Sequence, residues 1–217
     1  MSDEVKKSLD FWNELHLNHE KKDIIYDDWL EMFDDLISKC NTPIIDLGCG
    51  NGNDTLYLIG KGKKVIACDQ SENAIKNIKR NFPEIYDTKI FNMLDGFPFD
   101  DNSFELIIAD LCLHYFRSDD TFKILKSIKK ILKDDGHLLF RINSINDVNY
   151  GAGKGEEIEH HLYLTDDGMY KRFFDNEDVK KFFSDFHIEY LNEESMNRYK
   201  YEKKVYRGCV RKKSFDK

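Results

Sequence analysis

Seven consecutive residues, Asp46, Leu47, Gly48, Cys49, Gly50, Asn51 and Gly52, are the first in this sequence whose types and spacing suit them to chemistry. Glycines at alternate positions let the main chain turn sharply and come closer to a ligand than a Cβ would allow. The acid ahead of them can anchor the turn or meet an ammonium group. Asp69 follows 19 residues after Gly50, and a carboxylate at that place can accept hydrogen bonds from both hydroxyls of a ribose. Together they describe a site for a nucleoside-bearing ligand.

The elements that must position these groups are legible on either side. Pro43 to Leu47 is a short, nearly continuous apolar run, as expected of a parallel strand buried on both faces, and residues 53–59 read as the helix after the glycine turn. The pattern repeats with a strand at 64–68 ending in Asp69, Ser71 as N-cap and a helix at 72–80. Strands are expected at 88–91, 104–109 and 137–141, with a helix over 121–132 and a turn at Asp135 and Gly136. Alternation of this kind predicts an α/β, Rossmann-like three-layer sandwich, its mostly parallel seven-stranded sheet covered by helices on both faces. Strands near 188–191 and 205–210 would form an antiparallel C-terminal edge. One domain is expected over 1–217: an N-terminal helical lid (1–40, with apolar residues at helical spacing from Leu9 to Leu36), a ligand-binding core (41–142), an acceptor-side lid with a hairpin turn at Thr165 to Gly168 (143–174), and a C-terminal helix with edge strands (175–217).

The spacing of the glycines separates two ligand classes. Dinucleotide sites favour G-x-G-x-x-G, where a helix N-terminus cradles a pyrophosphate. Here the run is G-x-G-x-G with an acid two residues ahead, which resembles the first motif of the class I methyltransferases that use S-adenosylmethionine (SAM). Three further segments resemble that family in order: Val65 to Ser71, Phe97 to His114, and Ile131 to Leu139, with Asp134, Asp135 and Gly136 standing where Pro-Gly-Gly is common. The resemblance covers roughly residues 40–145. It implies that Gly48, Cys49 and Gly50 line the methionine moiety, that Asp69 holds the ribose and that Gln70 lies beside the adenine. Asn92 and Met93 would flank the adenine as well; the family often has an Asp at the place of Asn92, and Asp95 is a substitute. Asp110 falls where backbone or side chain meets the methionine amino group, and Asp46 completes the cofactor set. The implied reaction converts SAM to S-adenosylhomocysteine (SAH), and no metal is called for.

His114 is the candidate to face the acceptor as a catalytic base, with Arg141 and Tyr150 behind it; a packed histidine is the alternative. The run Glu156, Glu157, Glu159, His160 and His161 lies in a glycine-containing stretch and is read as lid in preference to a metal site. Tyr150, Tyr163, Tyr170, Phe173 and Phe174 could wall an acceptor pocket, with Trp12 and Tyr26 closing the other side, or they could pack in the core.

Composition limits the partners. With 41% hydrophobic and 34% charged residues the chain is ordinary globular protein. No apolar run reaches the ~20 residues that span a bilayer, and the start carries no apolar leader, so a cytoplasmic protein without a membrane partner is expected. Five cysteines without a C-x-x-C pair read as reduced and mostly buried. The net charge of −8 argues against DNA and disfavours RNA, although residues 198–217 alone carry +7. That basic tail is expected to be a solvated strand edge. The acceptor is therefore expected to be a small molecule and the protein a monomer or homodimer. A tRNA base methyltransferase is the alternative, on a faint similarity of residues 163–174 to the hairpin of tRNA cytidine methyltransferases. A SAM-binding protein without catalysis is a third reading and a nicotinamide dehydrogenase the weakest.

Overall fold

The strand Ile44–Leu47 (β1) has all four side chains buried, and the rest of the sheet is assembled on both sides of it. The computed structural model describes residues 3–18 and 24–213; residues 19–23 of the expected N-terminal lid and 214–217 of the basic tail lie outside the described residues. Val65–Asp69 (β2) pairs parallel with β1 on one side and Phe104–Asp110 (β4) on the other. With Asp87–Ile90 (β3), Leu132–Asn143 (β5), Phe186–Met196 (β9) and Lys203–Lys212 (β10), the seven-stranded order is β3-β2-β1-β4-β5-β10-β9. The chain moves outward from β1 to β3 and then returns to place β4 on β1's other side. That reversal of strand order opens a crevice beyond the carboxyl ends of β1 and β4, where open α/β sheets bind ligands.

Alternating side chains feed two cores. Ile107 and Ala109 of β4 face Ile124, Leu125 and Ile128 of Ser118–Ile131 (α5) and Val179 and Phe182 of Asn176–Phe182 (α6). Leu106 and Ile108 face the opposite layer, with Leu58 of Asn53–Gly60 (α3), Ile37 of Asp34–Lys39 (α2), and Trp29 and Leu30. Each such side chain contributes roughly 1.5–3 kcal/mol on full burial. Helix ends follow local chemistry: Ser71 accepts from Ala74 N at the start of Glu72–Asn81 (α4), and Asp175 and Asp178 form a capping box on α6. A separate three-stranded antiparallel sheet, Glu156–Glu159 (β6), Leu162–Leu164 (β7) and Tyr170–Arg172 (β8), carries the expected hairpin turn at Thr165 to Gly168. Among the described residues no helix is long and apolar enough to cross a membrane.

Three expectations need correction. Helical spacing over 8–39 predicts one or two helices, and two form, Asp3–Asn18 (α1) and α2, but residues 24–30, with Ile25 and Trp29, are irregular and not helical, with Trp29 and Leu30 buried. Asp135 and Gly136 do not separate α5 from β5; the strand starts at Leu132 and runs through them with a register shift, Asp135 taking φ 60°. The basic tail is not a solvated edge. β10 lies between β5 and β9, and its cations find partners: Lys203 on Asp147 (2.7 Å), Arg207 on Glu194 (2.7 Å) and Arg211 on Glu189 (2.6 Å).

One ionic knot ties distant segments together. Arg141, only 1% exposed, donates from Nε to Asp110 (2.7 Å) and from Nη1 to Asp27 (2.7 Å), and its guanidinium lies 4.6 Å from the Trp29 ring centroid. Arg198 adds a second donor to Asp110 at 3.0 Å. Asp27→Ala leaves two buried guanidiniums on one carboxylate. We expect it to destabilise the fold by about 3–5 kcal/mol, the usual cost of breaking a buried pair, measured by urea unfolding; a change below 1 kcal/mol would show that the knot relaxes into solvent.

Candidate functional site

A cavity of about 500 Å³ occupies the crevice at the carboxyl ends of β1, β2 and β4. Asp46, Gly48, Cys49 and Gly50 line it from the β1 turn, Asp69 and Gln70 from β2, Asn92 and Met93 from the end of β3, and Asp110 and His114 from beyond β4. The nine expected cofactor-binding residues and His114 therefore border one space. A groove of about 280 Å³ adjoins it and shares Ser8, Gln70, Asn92, Tyr115 and Phe116.

The turn is shaped for close approach. Gly48 N and Cys49 N both donate to Cys68 O, at 2.8 and 3.0 Å, which pins the turn to β2. At Gly48 φ is +69°, and a Cβ there would stand 2.5 Å from Cys112 Cβ, so only glycine fits. Asp46 accepts from Thr55 Oγ1 at 2.5 Å, which anchors β1 to α3. Asp69 accepts from Gly50 N (3.0 Å) through Oδ2 and from Ser71 N (2.9 Å) through Oδ1. A carboxylate offers about four acceptor positions, so these two bonds orient Asp69 and leave capacity for a diol. Gln70 and Asn92 are joined by an amide hydrogen bond of 3.0 Å.

Carboxylates dominate this end of the cavity. Burial, opposed by the Thr55 hydrogen bond and reinforced by Asp110, pushes the Asp46 carboxyl up to about 7. Burial also raises Asp54, which accepts from Trp29 Nε1 at 2.8 Å, and Asp69, where the Ser71 amide and His16 oppose the shift. Burial would raise Asp110 too, but Arg141 and Arg198 prevail and hold it below the usual carboxylate range. Three carboxylates poised against ionisation in one pocket suit a ligand that brings positive charge.

The opposite wall is different. His114 is 2% exposed and its Nδ1 has no hydrogen-bond partner among the described residues; burial, reinforced by Lys203 and Lys171, holds the imidazole well below its ordinary value. Asn143, Tyr150, Lys171, Arg198, Tyr199 and Lys203 complete that wall, and Trp12 and His16 of α1 close over the glycine turn. Of these, only Trp12 and Tyr150 stood out in the sequence. His16 gave a weak signal at helical spacing from Trp12, whereas Arg198 and Lys203 were hidden in a charge run. Arg141 does not border the cavity, being spent on Asp27 and Asp110. Tyr26 stacks on Tyr57 at 4.4 Å instead of closing the site. Phe173 and Phe174 are buried in the interior, Tyr163 lies 6.0 Å from the Phe173 ring, and Tyr170 borders only the adjoining groove. Elsewhere, His160, His161, Asp175 and Asp178 bring their ligand atoms within 4.8 Å of one another, but both carboxylates are engaged in the α6 capping box and Asp178 is 2.6 Å from His161 Nδ1.

Asp46 yields a test of the electrostatics. In the unfolded chain this carboxyl ionises near 3.8 and in the fold near 7, so stability falls as pH rises between those values and the penalty is complete above them. Asn keeps an acceptor for Thr55 and removes the charge. Asp46→Asn should therefore raise the Tm of the ligand-free protein at pH 8 by on the order of 5 °C, with a much smaller rise at pH 4.5; an equal shift at both values in thermal melts would refute the buried charge.

Comparison with known proteins places this geometry. Residues 45–140 match the sequence model of a family described as "Methyltransferase domain". An uncharacterized methyltransferase of Staphylococcus carnosus is 32% identical over 124 residues, covering 56% of this chain and 56% of the relative. The tRNA N(3)-cytidine methyltransferase METTL6 of Pongo abelii is 28% identical over 185 residues, 78% of this chain and 60% of that protein. The chain thus spans about half the length of the curated relatives it matches. A solved SAM-dependent methyltransferase of Anabaena variabilis has the same fold, with a TM-score of 0.69 over 98% of this chain and 96% of its own, at 17% identity.

Proposed function

We propose that this chain is a class I SAM-dependent methyltransferase, a reading supported by the match of residues 45–140 to a methyltransferase-domain model and by similarity to methyltransferase relatives, and that its cavity binds SAM and delivers the methyl group to a small-molecule acceptor. The observation that carries the reading is the meeting of the glycine turn, the oriented Asp69 carboxylate and the buried Asp46 and Asp54 carboxylates in one cavity. Those groups fit the ligand: Gly48 lets the turn pack tightly against Cys112 at the cavity's edge, and the carboxylates favour a sulfonium and an ammonium. SAM supplies a methyl group already activated by the positive charge on its sulfur.

In this reading Asp46, Gly48, Cys49, Gly50, Asp69, Gln70, Asn92, Met93 and Asp110 form the donor site. Asp69 takes the ribose hydroxyls, and the linked amides of Gln70 and Asn92 frame the adenine. The Asp110 carboxylate is committed to Arg141 and Arg198, which leaves its main chain for the donor. Catalysis then consists of orientation and exclusion of water, with α1 lying over the turn through Trp12 and His16. In this reading the unpaired Nδ1 of His114 meets the acceptor's protic group; burial, Lys203 and Lys171 disfavour the imidazolium, so the side chain acts by accepting a hydrogen bond or a proton only in passing.

The longer similarity to a tRNA N(3)-cytidine methyltransferase, over 78% of this chain, favours tRNA as the second reading. Lys171, Arg198 and Lys203 on the cavity wall are compatible with it, and the net charge of −8 opposes it. Calorimetric titration with SAH tests the shared donor site. Micromolar binding, on the order of −8 kcal/mol, is expected for the native chain and is lost in Asp69→Ala; binding of NADH in place of SAH would overturn the assignment.

A further inference from the structure

The cavity is polarised in a way that the donor does not use. Its floor carries Asp46, Asp54, Asp69 and Asp110, while the wall beyond His114 carries Lys171 and Lys203. The fold brings these lysines to one cavity wall from two different sheets. Arg172 N donates to His114 O at 2.7 Å, which holds β8, and with it Lys171, against the loop after β4. Lys203 opens β10, whose next residues pair with the end of β5 at Asn143. Its side chain is 8% exposed, and the ammonium donates to Asp147 at 2.7 Å and lies 5.0 and 5.8 Å from the ring centroids of Tyr150 and Tyr199. Among the described residues Lys171 has only a 3.3 Å contact with the partly exposed Asp167. Each ammonium has three donors, so both keep bonds to offer.

Three buried polar atoms on this wall have no hydrogen-bond partner among the described residues: His114 Nδ1, Asn143 Oδ1 and Arg198 Nη1, the last of which lies 3.7 Å from Asp27. Buried polar atoms are nearly always paired in folded proteins, and an exception on a cavity wall points to a ligand that completes it. We infer that the acceptor is a small planar molecule carrying an oxyanion, a carboxylate or a phosphate, seated on Lys171 and Lys203 with a protic group turned toward His114 and Asn143. This rests on the donor site proposed above. The planar body follows from Trp12, Tyr115, Tyr150 and Tyr199, which supply rings around the same space. The two charges inside one wall raise each other's cost, and burial reinforced by Lys171 already draws Lys203 below its ordinary value in spite of Asp147. An oxyanion between them removes that repulsion.

The test uses the full chain saturated with SAH and titrated calorimetrically with benzoate, phenyl phosphate and their neutral counterparts benzamide and phenol. At least one anion should bind tenfold or more tightly than its neutral counterpart, and the stronger of the two distinguishes carboxylate from phosphate. Lys171→Gln, at a side chain already 27% exposed, should abolish that preference while leaving SAH affinity within twofold. The double variant Lys203→Met with Asp147→Asn removes a buried pair without stranding either charge and should do the same. Equal binding of anions and neutral counterparts, absence of anion binding to the SAH-loaded protein, or an unchanged preference in both variants would overturn the inference. So would binding of unfractionated tRNA that neither benzoate nor phenyl phosphate displaces. Failure of SAH itself to bind appears in the first titration and overturns the donor site instead.

Discussion

Burying several carboxylates at one end of a parallel sheet is the constraint around which this molecule is arranged. Asp46 and Asp110 stand at neighbouring strand ends and Asp54 and Asp69 close by, all bordering the same cavity. Left alone, burial would neutralise them by protonation. The protein compensates for one of them with two guanidiniums, Arg141 and Arg198, and leaves the others raised. The result is a pocket floor with unspent negative potential, held rigid by Thr55, Trp29, Gly50 and Ser71.

That arrangement explains why the ends of the chain matter to its centre. Asp27, from the irregular segment before α2, and Arg198, from the connection between β9 and β10, meet on Arg141 and Asp110 in the middle of the sheet. The C-terminal hairpin therefore both completes the sheet beyond β5 and supplies Arg198, Tyr199 and Lys203 to the cavity wall. Acidic floor and basic wall come from separate parts of the sequence and are brought together only by the crossover at β1 and β4.

The alternation of strands and helices, the glycine turn and Asp69 were legible because each is a local signal: apolar runs, positive-φ glycines, a capping Ser71. The glycine-turn side of the cavity follows from such signals, since strand ends converge wherever a parallel sheet reverses its order. The wall beyond His114 does not. Lys203 belongs to a run of basic residues that looks uniform in the sequence, and its partner Asp147 lies 56 residues away. Arg141 was misplaced for the same reason, with Asp27 lying 114 residues away. Phe173 and Phe174, expected with equal reason in lid or core, pack inward because the segment just after β8 docks against the end of β5 through Phe174 N and Asn143 O.

The central claim is that buried, partly protonated carboxylates receive a cationic donor. Its most direct test is the number of protons exchanged when SAM binds, obtained by calorimetry at pH 7 in two buffers of different ionisation enthalpy. With Asp46 titrating near 7 in the free protein, the arrival of a sulfonium should favour the carboxylate and release a measurable fraction of a proton per SAM bound, and a smaller fraction for uncharged-sulfur SAH. Binding of both ligands with no proton release, or with proton uptake, would contradict the account.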